Sequence, residues 1–314
     1  MLAFVFPGQG SQSVGMQAAL AADSAAMRST YSEASEVLGY DLWALASQGP
    51  ADLLNATERT QPAMLTAGVA AYRAWLERDG PEPALMAGHS LGEFSALVCA
   101  GAIAFRDAVA LTRFRGAVMQ AAVPAGEGAM AAVLGLDDAL VEAACAESAH
   151  GQVVEPVNYN APGQIVIAGD KAAVGRAIAA CEQRGAKRAV LLPVSVPAHS
   201  TLMRGAGERL RERLVAVRVV PPKIAVYAIG LERHQDPERI KDAVVRQLSA
   251  PVRWADTVRD MVTKGARVIV ECGPGKVLTA LNRRIERNKE IVMAALEDPP
   301  SLAQALTTAR GASA

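Results

Sequence analysis

Ala84-Leu85-Met86-Ala87-Gly88-His89-Ser90-Leu91-Gly92-Glu93-Phe94-Ser95-Ala96-Leu97-Val98-Cys99-Ala100 places a short apolar run, a serine between two glycines and a helix-compatible stretch one after another. The pattern G-x-S-x-G between a strand and a helix is the turn that lifts a serine hydroxyl clear of a sheet. The flanking glycines, Gly88 and Gly92, permit the sharp turn. Ser90 then sits at a helix N-terminus, which favours developing negative charge, and the N–H of Leu91 points to where an oxyanion would form. A five-residue motif also recurs as a plain structural turn. Its strand and helix flanks are what favour a nucleophile here.

Outward from this stretch, short apolar runs alternate with helix-length segments. Ala3–Phe6 is followed by a helical region to about Leu45, a second around Pro62–Arg78, and the run Ala84–Ala87. That rhythm predicts an α/β fold with layers around a parallel sheet. It changes at Val123-Pro124-Ala125-Gly126-Glu127-Gly128, a loop of breakers. Beyond it the chain reads strand Ala129–Leu134, helix Asp137–Ser148, strands Val153–Tyr159 and Gln164–Ala168, helix Asp170–Arg184 and strand Ala189–Val196. The order βαββαβ is the ferredoxin-like pattern. From Pro197 the first style resumes, with strands expected at Ile224–Ile229 and Arg267–Glu271, a helix ending near Leu248, a final helix from Gly275 and a frayed tail, Ala309–Ala314. The expected division is a discontinuous core, 1–123 and 197–314, carrying an insert, 124–196.

A serine hydroxyl needs a base, and four histidines are available. His89 abuts Ser90 but should point away; His150 and His234 fall in polar and charged loops. His199 follows Val194-Ser195-Val196-Pro197-Ala198, where the insert returns to the core and a helix begins. A helix N-terminus disfavours imidazolium and leaves the ring able to accept a proton. The same position would suit a capping histidine. Asp137, Asp138 and Asp170 lie between serine and histidine, but N-capping accounts for each. No acid completes a triad, and a histidine oriented by a backbone carbonyl would meet the same need.

Lysine plus arginine equals aspartate plus glutamate at 32 each, so no global positive field exists to hold nucleic acid or an anionic membrane. The longest nearly apolar stretch, Phe94–Phe105, is twelve residues and falls short of the roughly 20 that a membrane span needs. The opening run Met1–Phe6 breaks at Pro7-Gly8, has no basic n-region and is too short for a signal peptide, so a cytoplasmic protein is expected. Cys99, Cys145, Cys181 and Cys272 form no C-x-x-C pair, so neither a zinc site nor a redox motif is suggested. Gly8-Gln9-Gly10-Ser11-Gln12-Ser13 lacks the third glycine of a dinucleotide fingerprint, and Gly273-Pro274-Gly275-Lys276-Val277 lacks the first glycine and the final hydroxyl of a P-loop. The first of these turns can still present a backbone N–H as half of an oxyanion hole.

Phe6-Pro7-Gly8-Gln9-Gly10-Ser11-Gln12, Gly88–Glu93, Arg115-Gly116 with Met119-Gln120, Pro156–Asn160, Val194–His199, Gln247-Leu248 before Pro251–Trp254, and Gly273–Leu278 occur in this order. The set resembles bacterial malonyl-CoA:acyl-carrier-protein transacylases over Phe4 to about Arg284. The resemblance implies an α/β-hydrolase-like core with a ferredoxin-like insert, and ping-pong transfer of malonyl from malonyl-CoA to the phosphopantetheine thiol of acyl carrier protein in fatty-acid synthesis. No metal or cofactor of its own is implied. Ser90 would be the nucleophile, His199 the base, the N–H groups of Gln9 and Leu91 the oxyanion hole, Arg115 the holder of the malonyl carboxylate, and Gln247 the residue whose carbonyl orients the histidine. Tyr227-Ala228-Ile229-Gly230 departs from the family, where a polar, asparagine-rich stretch is expected, and Ala198 stands where serine often precedes the histidine. A thioesterase, in which water resolves the acyl-enzyme, and a non-catalytic docking module for acyl carrier protein remain alternatives.

Helical spacing adds to the reading of Arg115. On a helix Asp107–Ala122 its neighbours at three, four and seven positions are Ala108, Leu111, Thr112, Val118, Met119 and Ala122, an almost wholly apolar stripe. A guanidinium buried there needs a partner. A malonyl carboxylate would serve, and so would a distant carboxylate of the chain. For an acidic carrier protein, Arg283, Arg284, Arg287 and Lys289, with Lys187 and Arg188, offer local positive charge, or simply solvated faces.

Overall fold

A computed structural model of the chain describes residues 1–194 and 196–311. Nine strands occur in it: β1 (Leu2–Phe6), β2 (Leu85–Gly88), β3 (Gly128–Leu134), β4 (Val154–Ala161), β5 (Gln164–Asp170), β6 (Arg188–Leu191), β7 (Ala225–Tyr227), β8 (Val268–Glu271) and β9 (Val292–Ala295). Five of them form a parallel sheet in the order β7-β2-β1-β8-β9.

All five residues of β1 are buried, as the apolar run at its centre demands, because a parallel strand is covered on both faces. On one side Phe4 meets Tyr72 and Trp75 edge-on, with ring centroids 5.7 and 5.1 Å away, from the helix Thr57–Leu76. On the other, Ala3, Val5 and Ala87 join Trp254, Val258 and Met261 of the helix Trp254–Thr263. β1 and β2 pair in register up to Phe6 and Gly88, so both strands end at the same edge. Their following turns therefore meet.

The remaining four strands form an antiparallel sheet in the order β4-β5-β3-β6. The helices Asp138–Ser148 and Lys171–Gln183 cover one face of it, through Val141, Cys145, Val174 and Cys181 among others. The element order is βαββαβ, as the sequence predicts. This sheet is tied to the other body by Tyr159 N–H donating to Val252 O (2.9 Å) and Val252 N–H donating to Val157 O (2.8 Å).

Four sequence expectations are corrected. The strand expected over Ala189–Val196 ends at Leu191, just before Pro193, which has no N–H to give a ladder; Ser195 of that expected strand lies outside the described residues. The chain does not end on the helix from Gly275, since β9 and the helix Pro299–Gly311 follow it. The tail expected to fray is therefore helical up to Gly311, with Leu302, Ala305, Leu306 and Ala309 buried; Ala312–Ala314 lie outside the described residues. The first helical region is three helices, Ala18–Asp23, Ala25–Leu38 and Leu42–Gln48, with Ser24 and Asp41 capping the second and third. Among the described residues no helix is long and apolar enough to cross a membrane.

The glycines around Ser90 are required by close approach. A Cβ on Gly88 would stand 1.9 Å from Glu93 N, and one on Gly92 would stand 2.0 Å from Phe6 O. Neither obstacle is a flexible side chain. Gly92→Ala should cost about 3 kcal/mol or more in urea unfolding. Gly126→Ala, whose Cβ would enter open space from a left-handed backbone, should cost about 1–2 kcal/mol. Equal losses at the two positions would show that the contact with Phe6 is unimportant.

Candidate active site

Ser90 has φ 51°, in the left-handed region that a β-carbon disfavours by about 1–2 kcal/mol. The turn is held by His89 N–H donating to Phe6 O (2.9 Å) and Glu93 N–H donating to Ser90 O (3.0 Å), with the Gln247 side-chain amide also donating to Ser90 O (3.0 Å). The hydroxyl thereby emerges at the N-terminus of the helix Gly92–Cys99.

His199 also has a positive φ, 67°, and its N–H donates to Leu248 O (2.9 Å). Its Nδ1 lies 2.7 Å from Gln247 O and its Nε2 lies 2.7 Å from Ser90 Oγ. A carbonyl only accepts, so Nδ1 carries the proton and Nε2 accepts from the serine hydroxyl. This is a serine, an imidazole and an orienting main-chain carbonyl, with no acid in the third place. Burial pushes the His199 pKa down to about 3, helped by the nearby Arg115 guanidinium and opposed by the bond to Gln247. The ring is neutral at physiological pH, as the sequence argument requires, but the principal cause is burial and not a helix terminus.

Arg115 lies on the helix Phe105–Gln120 and is 1% exposed, on the apolar stripe that helical spacing picks out. Nη1 donates to Gln61 Oε1 (2.8 Å) and Nη2 to Gln247 Oε1 (2.9 Å), and the guanidinium stands 5.6 Å from the Phe94 ring centre. Its Nε is buried without a hydrogen-bond partner. Burial lowers its pKa to about 10 against the pull of Glu93, so it stays charged at neutral pH. Among the described residues no carboxylate forms an ion pair with it. The internal salt bridge that the sequence left open is therefore not made.

These groups share a cleft of about 440 Å³. Gln9 and Leu91 line it beside Ser90, His199 and Arg115, while Met130 and Asn158 bring in the antiparallel sheet. All six site residues named from the sequence are thus brought together: five line the cleft, and Gln247 stands behind His199 and Arg115.

Sequence reasoning missed the polar groups behind them. Gln61 is a buried amide on the helix Thr57–Leu76, and Glu93 is a buried acid before an apolar run. His234, read as a loop residue, is buried, with Nε2 2.6 Å from Glu93 Oε1. His89 does turn from the serine, its Nε2 lying 2.8 Å from Asn160 Oδ1. Of the basic residues set aside for a carrier protein, Arg283 and Arg284 are engaged by Met293 O and by Gln164 with Pro162 O. Among the described residues no group of three or more His, Cys, Asp and Glu is gathered as metal ligands.

The acyl transferase domain family matches residues 3–297. The malonyl CoA-acyl carrier protein transacylase of Escherichia coli (strain K12) is 54% identical over 305 residues, which cover 97% of this chain and 98% of that one. The protein of the same name from Bacillus subtilis (strain 168) is 40% identical over 309 residues, 98% and 96% of the two chains. A solved structure of a malonyl-transacylase in complex with a type II PKS acyl-carrier protein matches with a TM-score of 0.95 at 50% identity, covering 98% of this chain and 99% of that one. Similarity over nearly the whole length, in sequence and in fold, shows that the chain belongs to the acyl transferase family, among the malonyl CoA-acyl carrier protein transacylases.

Proposed function

We propose that this protein transfers malonyl from malonyl-CoA to the phosphopantetheine thiol of acyl carrier protein, through a malonyl-Ser90 intermediate, in cytoplasmic fatty-acid synthesis. The observation that carries the reading is Arg115: a buried cation with an unbonded Nε and, among the described residues, no carboxylate partner, in one cleft with the hydrogen-bonded Ser90 and His199. An acyl group that ends in a carboxylate completes that site. The bidentate charge-assisted contact it allows is among the strongest available to an arginine.

In the first half-reaction Ser90 Oγ attacks the thioester carbon while its proton passes to His199 Nε2. The tetrahedral oxyanion is met by the N–H groups of Gln9 and Leu91. The C–S bond breaks, and the departing CoA sulfur takes the proton from His199. In the second half the carrier's thiol gives its proton to His199 and its sulfur attacks the seryl ester, after which the C–O bond breaks and Ser90 is reprotonated. Gln247 O stabilises the transient imidazolium through Nδ1–H. Each proton moves within this chain and its two thiols, so no resident metal or cofactor is needed. Residues 1–123 and 197–314 would act as the catalytic core and 124–196 as an insert closing one wall of the cleft. The exposed Arg287 and Lys289 remain available to an acidic carrier protein.

Transfer to the carrier thiol should follow ping-pong kinetics and exceed hydrolysis of malonyl-CoA; hydrolysis at the same rate would favour a thioesterase. Arg115→Ala should lower malonyl kcat/KM by roughly 30-fold to a few thousand-fold, the range for removing one partner of a buried charge pair. Acetyl transfer should lose little. Equal losses for the two substrates would show that Arg115 supports the fold and does not read the acyl group.

The depressed His199 pKa makes a pH prediction. The folded ring stays neutral down to about 3, whereas the unfolded chain takes up a proton below about 6.5. Acylation should therefore show no acid limb near pH 6.5. Stability should fall as pH drops from about 6.5 toward 3, because only the unfolded state binds that proton over this window. His199→Asn should flatten part of that fall in Tm. It should also slow both half-reactions by about 10² to 10⁴, the usual size of a general acid-base contribution. A midpoint near 6.5 in the wild-type acylation profile would contradict the neutral buried base.

A further inference from the structure

Behind the cleft, four polar side chains form one buried chain. Glu93, His234 and Gln247 are each no more than 4% exposed, and Arg115 is 1% exposed. Glu93 receives His234 Nε2–H on Oε1 (2.6 Å) and a short bond from the Gln247 amide nitrogen on Oε2. Gln247 then has every polar atom of its side chain committed, to Glu93, to Ser90 O and to Arg115. Its main-chain carbonyl holds His199 Nδ1.

His234 comes from the loop after β7 and is anchored by its own N–H donating to Val226 O (2.9 Å). The same loop supplies Ala228 and Ile229 to a small cavity beside Glu93, Ser90 and Gln247. The segment that lacks the polar residues expected at Tyr227–Gly230 is therefore the one that lies against the buried carboxylate. His234, further along it, supplies the hydrogen bond that Ala228 and Ile229 cannot.

We propose that His234 is a positioning residue for the transfer reaction: by saturating Glu93 Oε1 it fixes Glu93 on Gln247, and so sets both the carbonyl that orients His199 and the amide oxygen that holds Arg115. The inference rests on the malonyl-transfer reading. Without His234, Glu93 has a buried oxygen unmet, and the nearest remedy is to swing from Gln247 toward the Arg115 guanidinium, whose charge it already feels. That swing would release Gln247 and occupy the group that reads the malonyl carboxylate. Both consequences are visible in kinetics. A looser His199 lowers kcat for any acyl group, and an Arg115 drawn to Glu93 raises KM for malonyl-CoA only.

The test compares His234→Leu, His234→Gln and His234→Asn, with malonyl-CoA and acetyl-CoA as substrates and thermal unfolding as the control. Glutamine can place its Nε2 near the position of the imidazole Nε2, whereas asparagine is one methylene short. His234→Leu should lose about 10- to 100-fold in malonyl kcat/KM, as befits a buried hydrogen bond to a charged group, through both kcat and KM. Acetyl transfer should fall through kcat with its KM unchanged. His234→Gln should recover to within about threefold of wild type, and His234→Asn should not. If the leucine variant does not fold, the glutamine and asparagine variants decide the matter, since a residue that only fills space would leave them alike. Near-wild-type kinetics in the leucine or asparagine variant, or equal losses in all three, would overturn the inference. Failure of the wild-type protein to transfer malonyl would instead overturn the reading on which it rests.

Discussion

Gly92 lies so close to the end of β1 that the Phe6 carbonyl fills the space where a β-carbon would be, and Gly8 stands in the same relation to His89 O, with 2.5 Å from an added Cβ. The turn after β1 and the turn after β2 are thereby pressed into one another. Parallel pairing brings Phe6 and Gly88 level, and the interlocked glycines fix the two turns beyond that point. Gln9 follows from the first turn and Leu91 from the second, so the two flank Ser90 in one cleft. Ser90 is left with φ 51°, a strain that the hydrogen bonds around the turn offset.

Gln247 carries this order from the serine to the histidine and the arginine. One residue supplies the carbonyl for His199 Nδ1, an amide N–H for Ser90 O and an oxygen for Arg115 Nη2. Buried polar groups tolerate no loose ends, and in this chain of bonds the exception is Arg115 Nε. Arg115 thus keeps a charged donor unspent while lining the same cleft as the nucleophile, where Asn158 Oδ1 is also buried without a partner. Placing the serine base and the acyl-reading cation on one glutamine makes chemistry and selectivity depend on the same side chain.

Much of this was legible because it is local. Strand-turn-helix around Ser90 needs only a few consecutive residues, and the burial of Arg115 follows from spacing along one helix. The alternation of elements implies the parallel sheet, and the βαββαβ order of the second sheet is visible in the chain order of its segments. What escaped is long-range or edge structure. β9 is four residues at the rim of the sheet, too short to announce itself among neighbouring polar residues. His234 lies 141 residues from Glu93, and a histidine between Arg233 and Gln235 looks solvated until the fold closes over it. Resemblance points to Gln247 for its carbonyl alone. Its side-chain role needs Gln61, Glu93 and Arg115 to be in place, and no spacing along the chain reveals that. A helix end is the lesser reason for the neutrality of His199, since burial is its principal cause.

Intact-protein mass spectrometry after brief exposure to malonyl-CoA, and separately to acetyl-CoA, tests most directly that Ser90 is the acyl carrier of this site. The account predicts one malonyl group on the wild-type protein, discharged on adding the carrier protein's phosphopantetheine thiol, far less acetylation, and no mass gain in Ser90→Ala. Malonylation that persists in Ser90→Ala, or a wild-type adduct that the carrier thiol cannot remove, would contradict it.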